Sequence, residues 1–131
     1  MIPKFRAWDI HGQKMFANNE LIIWAGNVYA NDGKKLTCNN LKGWSVDDKY
    51  LMQSTGLKDK NGKEIFEGDI VDYKGRKAVI KWHGSYASFI YIFVDELQKR
   101  VAGWSPLYLA YFHFEVIGNK FETPEFLEVK E

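Results

Sequence analysis

The stretch STGLKDKNGKEIFEGDIVDY, residues 54–73, decides how the chain is read. It is either a metal loop or a turn between two strands. A calcium loop of the EF-hand kind needs acidic or amide ligands at alternate positions, glycine at the sixth and glutamate at the twelfth. Counting from Asp59, Asn61 suits the third position. Lys63 then puts a cation where the fifth ligand must sit, Gly62 falls fourth, and the distal position is Ile70. The turn is the better account. Asp59 and Asn61 are short polar residues of the kind that bond nearby backbone amides. Gly62 can take the positive φ that a type I turn plus bulge requires.

Outward from that turn the pattern is one of short strands. DIVDY, residues 69–73, reads as a strand, and KGRK, residues 74–77, turns the chain. AVIKW (78–82) and YASFIYIF (86–93) are strands separated by HGS. LYLAYFHFEVI (107–117) reads as a last long strand, preceded by a helical turn near residues 95–101. TPEFLEV (123–129) starts a brief helix, with Thr123 as N-cap and Pro124 at the first helical position. Toward the N-terminus, residues 50–53 form a short strand and KFRAWDIHGQKMFA (4–17) a hairpin that turns at DIHG. In NDGK (31–34) the Asp32-Gly33 pair suits a type I′ turn. An aromatic fraction of 16% favours sheet over helix, because flat rings pack well on a pleated surface. The chain is therefore expected to be mainly β. Residues 1–49 are read as an N-terminal β-rich segment, packed on a small, strongly bent barrel of five strands in residues 50–131.

A net charge of +1 gives no global pull toward nucleic acid or anionic lipid. Locally the balance differs: residues 57–83 carry seven Lys or Arg against five acids, and residues 84–131 carry four against seven. With Cys38 alone, the chain has no intramolecular disulfide and no cysteine zinc cluster of its own. The single cysteine fits a reducing cytoplasm. The N-terminus lacks the apolar core of a signal peptide, and no window approaches a membrane span. The expectation is a soluble, cytoplasmic protein with no membrane partner.

Three segments carry a resemblance. LMQSTGLKDKNGKEIFEGDIV (51–71) resembles the signature of the YopX-type family of bacteriophage and prophage proteins. KFRAWD (4–9) followed by KMF (14–16) resembles that family's opening, and FEVIGNKFETPEFL (114–127) its closing segment. The matches occur in the right order along nearly the whole chain. Residues 21–49 match nothing in that pattern, and Lys120 stands where an apolar residue is expected. The resemblance implies a mostly β protein whose C-terminal half is similar to an SH3-type barrel, encoded by a phage and present in its bacterial host. It brings no biochemical activity and no catalytic residues.

The residues themselves supply little chemistry. His11 and His83 each precede a glycine and are expected in turns, and His113 is expected within an aromatic strand. No two have ligand spacing. Asp69 and Asp72 lie three apart, so a regular strand points them to opposite faces. The serines lack the nucleophile-elbow context, and neither a P-loop nor a dinucleotide fingerprint occurs. An enzyme is thus the weaker class. No cofactor, metal or small-molecule substrate is indicated.

The most suggestive surface is YKGRKAVIKWHGSY, residues 73–86. Its Lys74, Arg76, Lys77 and Lys81 could hold phosphates while Trp82 and Tyr86 stack bases. The favoured expectation is blander: Trp82 fills the barrel core and the cations form a solvated rim. Trp8, Trp24, Trp44 and Trp104 are a further surplus, fit either for an association interface or for joining the two halves. The sequence therefore points to a non-catalytic accessory protein that acts by protein–protein binding or self-association. The alternative is weak nucleic-acid binding through the basic-aromatic face.

Overall fold

The structure is a computed structural model, and it describes residues 4–24, 27–30, 44–101 and 103–128. The chain divides into two units, Met1–Gln53 and Ser54–Glu131.

In the first unit, β1 (Phe5–Asp9) and β2 (Lys14–Phe16) form the expected antiparallel hairpin. Ala7 faces Phe16 across the ladder and both are fully buried. The turn differs in one detail: the positive φ falls on Gln13, at 53°, and not on Gly12. Asp9 Oδ1 accepts the His11 N–H at 3.0 Å, and the Gln13 side-chain amide donates to the Ile10 carbonyl at 2.7 Å. These local bonds hold Gln13 in the left-handed region. β3 (Leu21–Trp24), β4 (Asn27–Ala30) and β5 (Trp44–Val46) make a three-stranded antiparallel sheet. The NDGK turn lies outside the described residues. β6 (Leu51–Lys58) pairs through its first three residues with β1, Leu51 facing Ala7 and Gln53 facing Phe5.

The far end of β6 belongs to the second unit, where it pairs with β7 (Glu64–Phe66) on either side of an irregularity that includes Gly56 at φ 78°. The remaining strands are β8 (Asp69–Tyr73), β9 (Arg76–His83), β10 (Ser88–Phe93), β11 (Ser105–Pro106) and β12 (Glu115–Asn119). They form one antiparallel sheet in the order β11-β10-β9-β8-β12. The turn between β8 and β9 is two residues, Lys74 and Gly75, at φ 51° and 86°. Arg76 and Lys77, expected in that turn, instead begin β9 opposite Tyr73 and Asp72. A two-residue turn with both φ positive matches the twist of the strands it joins, so the ladder closes at once.

Both faces of this sheet are covered. Ala78 and Ile80 point to one side and join Ile65, Val71, Leu107, Ala110 and Phe114 in a buried cluster. Val79 points to the other, with Ile90 and Ile92 under Leu97 and Leu127. This two-sided burial is why residues 78–80 read as an unbroken apolar run rather than an alternating one.

One expected strand is wrong over most of its length. Residues 107–114 form two consecutive 3₁₀ turns, Leu107–Leu109 and Tyr111–His113, and extended structure resumes only at Glu115. The buried positions are Leu107, Ala110 and Phe114. Spacings of three and four fit a turning backbone, whereas a strand would have buried every second residue. His113 accordingly sits in a 3₁₀ turn and not in a strand, against Phe112 at 4.3 Å and Tyr73 at 5.8 Å between ring centroids.

The last turn, Pro124–Leu127, begins where expected, after Thr123. The Thr123 hydroxyl does not cap it. It donates to the Asn119 carbonyl and accepts the Asn119 N–H, each at 3.0 Å. The protein is mainly β, and no α-helix occurs among the described residues. No helix there is long and apolar enough to cross a membrane.

Candidate functional site

The polar side chains of residues 54–73 are the first place to look for chemistry, and the buried ones, Ser54, Thr55, Asp59 and Asp69, are engaged by the backbone. Asp59 is 6% exposed. Its Oδ1 accepts the N–H of Asn61 at 2.9 Å and of Lys63 at 2.8 Å, and its Oδ2 accepts the N–H of Val116 at 2.9 Å. The turn account of Asp59 therefore holds. The Thr55 hydroxyl donates to the Ile65 carbonyl at 2.7 Å and accepts the Leu57 N–H at 3.1 Å. Ser54 Oγ accepts the Gly56 N–H at 3.1 Å. Asp69, also buried, accepts the Phe66 N–H at 2.8 Å. Buried polar groups need such partners, and here the partners are main-chain amides that shape two turns.

The basic-aromatic stretch is dispersed by the fold. Residues of β9 alternate between faces. Arg76 and Trp82 lie on the side of Ala78 and Ile80, while Lys77, Lys81 and His83 lie on the side of Val79. The two ends of the strand are about 23 Å apart. Lys74 sits in the turn with its Nζ 5.4 Å from the Tyr73 ring centroid. Lys77 Nζ stands 5.4 Å from the ring of Phe126.

Arg76 is already paired. Its Nε and Nη2 donate to the two carboxylate oxygens of Asp95 at 3.2 and 2.8 Å, and its guanidinium lies 3.6 Å over the Phe93 ring. The hydrogen bond is the main reason that the Asp95 carboxyl is held below its ordinary range and the Arg76 guanidinium is pushed up. A phosphate at Arg76 would have to displace a bidentate carboxylate.

Trp82 does not fill the core. It is 48% exposed and packs edge-on against Phe89 at 5.0 Å. Tyr86 is 66% exposed and belongs to a different group, with His83 at 4.8 Å and Trp104 at 4.9 Å. The two aromatic residues that the nucleic-acid alternative would use together to stack bases thus have separate partners. Lys81 is exposed on the same strand face as His83.

A second surface was hidden by the strand reading of residues 107–117. The segment VAGWSPLYLAYFHF, residues 101–114, contains no Asp, Glu, Lys or Arg, although 27% of the chain is charged. Its 3₁₀ turns bury Leu107, Ala110 and Phe114 and leave Tyr108, Leu109 and Phe112 at 60%, 59% and 52% exposure. The signal that could have found it was present: a long charge-free run whose spacing of three and four leaves large apolar side chains over for the outside.

Comparison with known proteins places the chain. A family profile described as YopX protein matches residues 4–128. The crystal structure of protein EF1440 from Enterococcus faecalis is similar, with a TM-score of 0.57 and 29% sequence identity over 98% of this chain and 99% of that one. Among curated proteins no match is found. The profile spans both units, including the β1–β2 hairpin, the Asp59 turn and the segment from β12 to Leu127, and so this chain belongs to the YopX family.

Proposed function

We propose that this protein is a non-catalytic accessory protein of phage or prophage origin, working in the cytoplasm of a bacterial host by protein contact. The observation that carries this reading is the exposure of Tyr108, Leu109 and Phe112 on a charge-free segment. Interfaces are enriched in aromatic residues and depleted of charge at their centres. Exposed apolar surface gathered in one segment marks interaction sites more often than single exposed residues do. The engagement of Asp59 and Asp69 by backbone amides supports a non-catalytic role. In this reading the second unit acts as an SH3-like barrel, a rigid sheet that presents aromatic side chains to a partner.

The test is a photo-reactive amino acid placed at position 108 or 112 in living cells, with position 74 as control. Protein adducts at 108 and 112, and none at 74, are expected. Adducts at none of the positions, or equally at all three, would sink the reading.

A nucleic-acid reading retains one specific observation. Lys81 shares a strand face with His83, and His83 carries the exposed Tyr86 and Trp104. Phosphate contacts release counterions, so such binding weakens steeply with salt. Titration into labelled single- and double-stranded DNA and RNA at low salt checks it. Salt-sensitive binding that Lys81→Ala with Tyr86→Ala abolishes would support this second reading, and no binding at low salt would remove it.

A further inference from the structure

We infer that Asn61 is a site of spontaneous covalent modification, deamidation by the chain's own backbone, and that the Asp59 turn is the gate on it. The modification needs no partner and no catalyst beyond the chain and water.

The chemistry needs an asparagine whose side-chain amide is free and whose next residue lets its backbone nitrogen come close. Asn61 is the one asparagine of the chain that precedes a glycine. Glycine has no Cβ to crowd a close approach of its backbone. Asn61 and Gly62 are both exposed, and a Cβ built on Gly62 would meet nothing within 4 Å. Among the described residues none bonds the Asn61 side-chain amide. Asn119 is the contrast: it is buried, its Oδ1 accepts the N–H of Phe121 and of Glu122, and it precedes Lys120.

In the reaction the Gly62 nitrogen attacks Cγ of Asn61. A new C–N bond closes a cyclic imide, the bond from Cγ to the side-chain nitrogen breaks, and ammonia leaves with the proton that the Gly62 nitrogen gives up. Water then opens the imide at either carbonyl. One opening leaves aspartate at position 61. The other leaves isoaspartate, in which the main chain runs through the side-chain carbon.

The fold opposes the first step. The proton that must leave the Gly62 nitrogen is donated to the Asp59 carbonyl at 3.0 Å, and the Asp59 N–H donates to the Lys63 carbonyl at 2.8 Å. The Asp59 carboxylate accepts the N–H of Asn61 at 2.9 Å and of Lys63 at 2.8 Å. Both sides of the Asn61–Gly62 peptide are thus tied to one residue, which the Val116 N–H anchors in turn. Ring closure therefore proceeds from a locally opened turn, and its rate scales with the open fraction. The isoaspartate product then blocks reclosure. Its added main-chain carbon lengthens the turn that the Gly62–Asp59 and Asp59–Lys63 bonds span, whereas the aspartate product leaves the main chain as it was.

The test follows peptide mass spectra of the purified protein held at mildly alkaline pH, folded and in denaturing urea, with folding checked by circular dichroism. The unfolded chain should convert at Asn61 ahead of Asn119. Folded wild type should convert at Asn61 about tenfold more slowly or less, and folded Asp59→Ala should recover most of that difference. If Asp59→Ala does not fold, wild type in urea below its unfolding transition serves instead: conversion at Asn61 and hydrogen exchange of the Gly62 amide should rise together. The isoaspartate fraction, once separated, should unfold at lower urea than Asn61→Asp.

Equal rates in the folded and unfolded chain would remove the gate, and no conversion at Asn61 in the unfolded chain would remove the site. A folded Asp59→Ala as slow as wild type, or conversion in mild urea that does not follow Gly62 exchange, would take the gate away from the Asp59 turn. An isoaspartate fraction as stable as Asn61→Asp would overturn the block on reclosure.

Discussion

Oδ2 of Asp59 accepts the backbone N–H of Val116 at 2.9 Å, across 57 residues of chain. The same carboxylate closes its own turn through Asn61 and Lys63. Beside it the Lys60 N–H donates to the Phe114 carbonyl at 2.9 Å. β12 has β8 as its strand neighbour, and the Asp59 turn supplies acceptor and donor along its other side. One side chain thereby builds a tight turn and satisfies a sheet edge that would otherwise present open backbone groups.

Asp59→Ala should therefore lower stability by about 2 kcal/mol, since it takes a charged acceptor from three part-buried backbone N–H groups. Asp59→Asn should cost less, as it keeps one acceptor oxygen for part of that set. Urea unfolding of the three proteins measures both. A neutral Asp59→Ala would mean that the turn and β12 are held by other contacts.

Gly118 lies where β12 is irregular against β8, and a Cβ built there falls on the Thr123 hydroxyl. That hydroxyl is fixed by its two bonds to Asn119, whose own side chain accepts the N–H of Phe121 and Glu122. Gly118→Ala should cost about 2 kcal/mol through overpacking. In a Thr123→Ala background the same change should cost measurably less, because the obstructing atoms are gone. Additive losses in the double variant would put the strain somewhere else.

The Arg76–Asp95 pair sets a pH dependence whose sign follows from the depressed carboxyl. Asp95 is held below its ordinary 3.8 chiefly by the hydrogen bond from Arg76. A carboxyl lowered on folding adds stability above its unfolded value and loses it as pH falls through the folded one. Wild type should exceed Asp95→Asn in stability at neutral pH, and the difference should close in acid below that ordinary value. Salt should shrink it as well, since the pair is exposed. Arg76→Ala should retain a residual loss in acid, because it also gives up the guanidinium stacked on Phe93. Unfolding curves at both pH values decide the point.

Tryptophan quenching separates buried from exposed rings. Trp8 is buried, whereas Trp82 and Trp104 are exposed. Trp82→Phe and Trp104→Phe should each remove part of the acrylamide-accessible, red-shifted emission of dilute protein, and Trp8→Phe should leave it in place. If Trp82→Phe left the accessible emission unchanged, its ring would be packed after all.

Much of this was legible along the chain. The Asp59 turn, the Gly62 conformation (φ 83°), the span of β8 and the β1–β2 hairpin follow from local rules: a short acceptor beside backbone amides, a residue without Cβ at positive φ, short apolar runs bounded by turn residues. The family resemblance rests on the same residues, because the stretch that carries it encodes turns. Local sequence also excluded the EF-hand reading, since Lys63 cannot serve as a ligand there.

Other features were decided only by distant contacts. Residues 107–114 are apolar under either a strand or a turn reading. They became 3₁₀ turns because Leu107, Ala110 and Phe114 reach the cluster of Ile65, Val71, Ala78 and Ile80, which lies tens of residues earlier in the chain. Arg76 looked like a free cation until the fold brought Asp95 to it from 19 residues away. Trp82 and Tyr86 looked like neighbours, yet the register of β9 with β10 gave them separate partners. Turn chemistry is settled within a few bonds of backbone, so the sequence by itself determined it. Which side of an apolar segment meets solvent depends on surfaces that exist only once remote strands have paired, so only the tertiary structure could expose Tyr108, Leu109 and Phe112.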